Sequence, residues 1–293
     1  MRVFVTGATG LIGSAVVSEL LSAGHSVAAL ARSDASVTKA HAAGASTVRG
    51  ELADLDILRV EAMRADGVIH LAFGNDFRSP ATLGQNIAEE SAALEAMGEA
   101  LVGTGKPLVT VSGTPVAVGR PSTEDDPLPT VGPVAGRSVS VNRALCLADR
   151  GVRVASVRLP RTVHNQGKGG FAGLLTQMAR QSGVAGYPSD GSQRWPAVHA
   201  LDAAALFRLV LEQAPGGTTW HAVADEGDAL RDIVGVIGRR LGLQVESLSA
   251  ESFGPLGAIF VVDQPSSSAR TRRELGWEPK NLSLLEDLEQ ITA

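Results

Sequence analysis

The chain has one cysteine, one tyrosine and 4% aromatic residues, and each scarcity excludes something. Cys146 alone cannot form an internal disulfide, which fits a reducing, cytoplasmic setting. Six histidines and that cysteine show no ligand spacing, so no metal site is expected. Lysine and arginine number 26 against 31 acidic residues, a net charge of -5 that offers nucleic acid no basic field. No apolar run approaches the about 20 residues that span a bilayer, so no membrane partner is expected. The opening "MRVFVTGATG" turns glycine-rich too early to read as a signal peptide. Repeats at solenoid periods and low-complexity linkers are also missing.

What is present suits a globular α/β protein. The 293 residues are 44% hydrophobic and 19% charged, enough for one large domain, or a dominant domain with a smaller lobe. Short apolar runs ("RVFVT", "SVAALA", "STVRG", "GVIHLAF", "PLVTVSG", "VRVASVRLP") alternate with helix-like stretches around 36–43, 56–64, 83–102 and 139–150. Buried strands separated by helices predict a doubly wound parallel sheet covered on both faces. Past Pro160 the rhythm loosens. "GGFAGLLTQMARQ", "HALDAAALFRLVLEQA" and "DALRDIVGVIGRRLGL" read as helices, "TTWHAV" as a strand and "GYPSDGSQRWP" as a loop. The expected division is a dinucleotide-binding core over 1–160 and a substrate lobe, mainly over 161–293 and interleaved with the core.

The strongest chemical signal is "VFVTGATGLIG". Gly7, Gly10 and Gly13 form GxxGxxG between the first strand and the first helix. A tight turn, close approach of backbone to a pyrophosphate, and near packing of helix on strand each call for glycine. The helix start then offers free N–H groups to phosphates. Thr9, Leu11 and Ile12 lie in the same turn.

With that motif the chain resembles the extended and atypical branches of the short-chain dehydrogenase/reductase superfamily. "ALARS", "GELAD", "VIHLAF", "VSGT" and "WPAVHALDAAALFRLVLE" carry the likeness nearly end to end. "RLPRTVH", "RWPAVH" and "ELGWEP" resemble proteins labelled NAD-dependent epimerase/dehydratase. The resemblance implies a Rossmann-type fold, a small-molecule substrate, a monomer or homodimer, and a nicotinamide coenzyme. It implies coenzyme contacts from Glu51 and Leu52 at the adenine, from Leu71, Ala72 and Phe73 after the fourth strand, and from Ser112 and Pro160. Where NAD enzymes place an acid to hold the ribose hydroxyl, this chain has Arg32 beside Ser33, so NADP is the expected coenzyme.

The family's catalytic tyrosine lies four residues before a lysine. Counting back from "LADRGVRVASVR" puts Arg137 and Val141 at those positions, with Ser140 before the second. The only tyrosine is Tyr187, far along in the second lobe. Four residues are catalytic candidates, each with a structural alternative. Ser112 is a hydrogen-bond donor to substrate oxygen or a strand-end turn residue. Asn86 is the family's fourth catalytic residue or a polar helix residue. Arg137 is a fixed cation polarising a carbonyl or an exposed side chain. His164 is a proton relay or a structural hydrogen-bonder. Trp195, Tyr187, Phe73 and Phe77 wall an apolar pocket or pack in cores. The expected activity is NADPH-dependent reduction of an apolar carbonyl, imine or activated alkene. The alternatives are a sugar-nucleotide epimerase or dehydratase, and an NADP-binding protein without redox turnover (a sensor, a binding module or a recruited cyclase).

Overall fold

Val3, Phe4 and Val5 have no exposed surface, and neither do Val68 and Ile69. Strands buried on both faces require helices above and below them. The computed structural model, which describes residues 1–74, 79–132 and 134–292, supplies them. In chain order the first elements are β1 (Arg2–Thr6), α1 (Leu11–Ser22), β2 (Ser26–Ala31), α2 (Asp34–Ala42), β3 (Ser46–Arg49) and α3 (Leu55–Arg64). Then come β4 (Gly67–His70), α4 (Pro80–Ala100), β5 (Pro107–Gly113), α5 (Ala135–Leu145) and β6 (Arg153–Leu159). The later part adds β7 (Thr162–His164), α6 (Gly170–Ser182), β8 (Val184–Pro188), β9 (Arg194–His199), α7 (Ala200–Gln213), β10 (Thr218–His221) and β11 (Asp225–Ala229). It closes with α8 (Leu230–Leu241), β12 (Gln244–Leu248), α9 (Gly257–Phe260), α10 (Ala269–Leu275) and α11 (Leu284–Leu288).

Seven strands form a parallel, Rossmann-type sheet in the order β10-β6-β5-β4-β1-β2-β3. Strand order reverses between β1 and β4, where Thr6 faces His70. Ligands of open α/β sheets bind at such a reversal, outside the carboxyl ends of the strands. On α4 and at its C-cap, Leu94, Met97 and Leu101 recur at helical spacing and pack with Phe4, Leu58 and Leu108.

The chain divides into two compact units. One comprises 1–112, 128–158 and 204–220; the other comprises 113–127, 159–203 and 221–293. A cut at 160 lies beside one of the crossings, and the others assign 113–127 to the second unit and 204–220 to the first.

In the second unit, β9 lies between β7 and β11, and β8 pairs with β12. Its core holds Trp195 and Phe260, ring centres 5.3 Å apart, with Phe171 and Phe253 edge-on or tilted against them. α8 closes that core with Leu230, Ile233, Val234 and Ile237. The stretch "GYPSDGSQRWP", expected as a loop, is two strand segments joined by a turn. β8 finds its partner some sixty residues on, where Val184 faces Gln244, and no local pattern could reveal that pairing.

Asp228 on β11 faces Trp195 on β9, and its Oδ2 is buried without a hydrogen-bond partner. Burial, helped by repulsion from Asp225 and Asp232, pushes its carboxyl up to about 6. The unfolded value is about 3.9, so the fold favours the neutral acid. That contribution is full below the unfolded value and is lost as pH rises through about 6. Asp228→Asn is therefore expected to raise the melting temperature more at about pH 8 than at about pH 5. An equal gain at both would contradict this account.

Candidate active site

The glycine turn at the end of β1 is built from three glycines with different duties. Gly7 has φ +72°, and a Cβ there would stand 2.8 Å from the Ala72 nitrogen at the end of β4. At Gly13 a Cβ would come within 2.0 Å of the Gly7 carbonyl oxygen. Those two positions hold the fold together. Gly10 is different: it is exposed, and its Cβ would meet only the Gly7 oxygen at 3.5 Å, ordinary contact. The space above Gly10 is open to a ligand.

Gly10 is also the N-cap of α1, with no capping side chain and no acid in the first turn. Ser14 N, donating to Gly10 O at 2.9 Å, closes the first helical turn. The amides of Leu11, Ile12 and Gly13 precede that bond and face outward at the positive end of the helix. Thr9 holds its carbonyl to the Lys39 ammonium on α2, 2.6 Å away. This arrangement fits a pyrophosphate.

A second group of contacts ties the turn to β4. Thr6 Oγ1 accepts from the amides of Leu71 and Ala72, both at 3.2 Å. With both lone pairs occupied, its proton goes to His70 Nδ1 at 2.7 Å. Burial, with the Arg137 charge adding to it, pushes the imidazole down to about 4. His70 is therefore neutral near pH 7, with its remaining proton on Nε2, which is buried without a partner.

Arg32 follows β2 and is exposed. Ser33 beside it is the N-cap of α2: its Oγ accepts from the Ser36 amide at 3.2 Å, while Ser36 Oγ donates to the Ser33 carbonyl. The Ser33 hydroxyl thus already has a structural duty. Arg49 at the end of β3 is paired with Asp34 at 2.7 Å. Glu51 is exposed, its amide donating to Asp54 Oδ2. Leu52 turns into the core with Ala28 and Leu30.

On α4, Asn86 Nδ2 donates to the Gly74 carbonyl at 3.1 Å. One turn further, buried Glu90 accepts two hydrogen bonds from Arg137 on α5, from Nε at 2.8 Å and Nη2 at 2.6 Å. Arg137 also lies over Phe73, its Cζ 4.1 Å from the ring centre. The guanidinium is a fixed, oriented cation rather than a loose surface charge. Val141, one turn on, is apolar core. Ser112 is buried at the end of β5, its hydroxyl 3.1 Å from that of Ser156 on β6. Glu90 and His70 did not stand out as functional residues in the sequence. The available clue to Glu90 was its place four residues after Asn86, on the same helical face.

In the second unit, His164 is 1% exposed, and its Nδ1 lies 3.1 Å from Asp287. Asp287 also accepts from the amides of Gln166 and Gly167. Burial lowers the imidazole's affinity for a proton, and Asp287 partly opposes this. Its ring meets His199 edge-on at 5.4 Å. Pro160 is buried between β6 and β7. Tyr187 lies on β8, paired with Ser247, and Trp195 is sealed in the core. Phe77 lies outside the described residues. Among the described residues no helix is long and apolar enough to cross a membrane.

A family model described as the NAD dependent epimerase/dehydratase family matches residues 3–222. An uncharacterized protein of Schizosaccharomyces pombe is 42% identical over 98% of both chains. A UDP-glucose 4-epimerase of Streptomyces lividans is 26% identical over 97% of this chain and 93% of its own. Among solved structures, a dTDP-glucose 4,6-dehydratase from Streptomyces venezuelae with NAD bound superposes with a TM-score of 0.79. That match covers 99% of this chain and 95% of the other at 22% identity, a likeness of fold.

Proposed function

Because the chain belongs to the NAD dependent epimerase/dehydratase family, we propose that it is a nicotinamide-coenzyme enzyme exchanging hydride at a hydroxyl-bearing or carbonyl carbon. The observation that carries this reading is the open space over Gly10, flanked by two glycines whose Cβ atoms would clash. A pyrophosphate in that space is held by the outward amides of α1. The coenzyme, when bound, supplies the hydride donor or acceptor.

The substrate class that the relatives favour is a sugar nucleotide, processed as by an epimerase or dehydratase; UDP-glucose 4-epimerase is similar over nearly the whole length. That reading supports a small-molecule partner and a cycle returning the coenzyme to its starting state. The sequence count favours net reduction by NADPH instead. Counted back from the sixth strand, Arg137 and Val141 fall at the family's tyrosine and lysine positions, and on that reading no phenol is there to remove a hydroxyl proton. A carbonyl, imine or activated alkene needs only polarisation before accepting hydride, and Arg137, held by Glu90, supplies a fixed positive charge for it. Ser112 offers a hydrogen-bond donor to the same kind of oxygen, and His70 is kept neutral by burial, with the Arg137 charge adding to it. Nicotinamide absorbance separates the cases. Transient reduced coenzyme with UDP-glucose or dTDP-glucose supports the epimerase reading; steady consumption of NADPH with a carbonyl panel supports the reductase. Binding with neither signal would leave a coenzyme-binding protein without redox turnover.

We assign the coenzyme as NADP(H). Arg32 follows the end of β2, and among the described residues its guanidinium has no hydrogen bond or ion pair. Arg32→Asp is expected to invert the preference from NADP(H) to NAD(H). A lost charge-assisted contact costs about 1.5–3 kcal/mol, and the new anion repels the 2′-phosphate. Calorimetric titration of both coenzymes checks it, and equal affinities in the parent protein would remove the argument.

A further inference from the structure

Two buried hydroxyls face each other across neighbouring strands: the oxygens of Ser112 on β5 and Ser156 on β6 are 3.1 Å apart. Ser112 stands one residue before the carboxyl end of β5 and keeps 6% of its surface exposed. Ser156 lies in the middle of β6 and keeps none. Val154, Ala155 and Val157 beside it on the strand are sealed as well.

Which oxygen donates follows from these surroundings. A hydroxyl has one proton to give and two lone pairs to receive with. Among the described residues the Ser156 hydroxyl has Ser112 as its single hydrogen-bond partner. If Ser112 donated, the Ser156 proton would be shut inside the sheet with no acceptor. An unmet buried donor costs more than a hydrogen bond gains. If Ser156 donates instead, its proton is satisfied and the Ser112 proton is free to turn to the carboxyl edge of the sheet, where ligands of open α/β sheets bind. This second arrangement strands no donor. It also strengthens Ser112, because a hydroxyl that accepts one hydrogen bond is polarised to donate the next.

We infer that Ser156 is a positioning residue: it donates to Ser112 and so directs the Ser112 proton at the ligand oxygen. This deepens the proposed function and rests on it, since that reading makes Ser112 a donor to a carbonyl oxygen. Ser156 itself does not meet the ligand. Its contribution is to remove the alternative in which Ser112 spends its proton inside the sheet.

Neutron diffraction from crystals of the deuterated full chain reads the direction of the bond without any substrate. The expected map places the Ser156 deuteron between the two oxygens and the Ser112 deuteron on the side away from Ser156. A Ser112 deuteron aimed at Ser156 would overturn the inference. Kinetics reads the consequence, with NADPH and a carbonyl that turns over in the absorbance screen. Ser156→Ala is expected to lower kcat about two- to tenfold, the scale of one neutral hydrogen bond, with KM unchanged. In a Ser112→Ala background the same change should cost nothing further. A serine with a structural duty alone would lower the melting temperature and leave kcat as it was. That outcome, or equal losses in the two backgrounds, would also overturn the inference. If Ser156→Ala does not fold, the neutron map decides alone. Absent turnover with every carbonyl and sugar nucleotide sinks the proposed function, and the direction of the Ser112–Ser156 bond is still decided by the map.

Discussion

Gly10→Val is expected to abolish coenzyme binding in a protein that still folds. The Cβ of residue 10 would meet nothing nearer than the Gly7 oxygen at 3.5 Å, and Gly10 has φ -72° and ψ 177°, which other residues adopt readily. The branched side chain would instead fill the space a pyrophosphate needs and keep it from the amides of Leu11, Ile12 and Gly13. Losing two charge-assisted hydrogen bonds at about 1.5–3 kcal/mol each would weaken affinity by about 10²-fold or more. Gly13→Ala gives the contrast. Its Cβ would lie 2.0 Å from a backbone oxygen, a clash that the backbone must move to relieve. Overpacking typically costs about 1–3 kcal/mol and occasionally more, so the expected loss there is stability. Circular dichroism and calorimetric titration together check the pair. A folded Gly10→Val protein binding NADP(H) as the parent does would contradict the assignment of the glycine turn.

That contrast shows which parts of the molecule could be read before the fold was known. Runs of apolar residues mark β1, β2, β4, β5 and β6, because an inner strand of a parallel sheet is buried by helices on both sides, whereas the edge strand β3 is only partly buried. The glycine spacing locates the turn, because tight geometry restricts residue choice. The different duties of the three glycines were not legible, since the neighbours that impose them, Ala72 and the Gly7 carbonyl, are known only from the folded chain. The same holds for Ser33. Its position beside Arg32 suggests a phosphate contact, while the structure employs its hydroxyl to cap α2. β8 was hidden because its partner β12 lies far along the chain. Glu90 was hidden because one of several acids along a helix looks like a solvated one until the facing helix presents Arg137. His164 had two readings in the sequence; its nearly complete burial and the 3.1 Å between its Nδ1 and Asp287 belong to the folded chain alone.

Turnover, once a substrate is identified by the absorbance screen, is expected to survive Tyr187→Phe and to suffer from changes at Ser112 and Arg137. Tyr187 sits on β8 in the second unit and pairs through its backbone with Ser247; losing a general acid costs about 10²–10⁴-fold, and Tyr187→Phe should cost far less. Arg137→Met removes a cation fixed by two hydrogen bonds to Glu90 and by the face of Phe73. Removing one preorganised donor from a developing oxyanion lowers kcat by about 10²–10³-fold, and that is the effect expected here. The variant also strands the buried Glu90 carboxylate, so its fold must be checked; Arg137→Lys keeps a charge near Glu90 and should recover part of the rate. Ser112→Ala removes a hydroxyl that now meets Ser156 and should lower kcat less than the arginine change. His164→Gln serves as the control for structure, since its effect should appear in melting temperature through the lost Asp287 contact rather than in kcat. A large loss at Tyr187 with Arg137 and Ser112 indifferent would assign proton transfer to the second unit's tyrosine and overturn this reading. Indifference at all three would leave protonation to water or to the substrate itself, and α5 would then carry only packing at the positions of Arg137 and Val141.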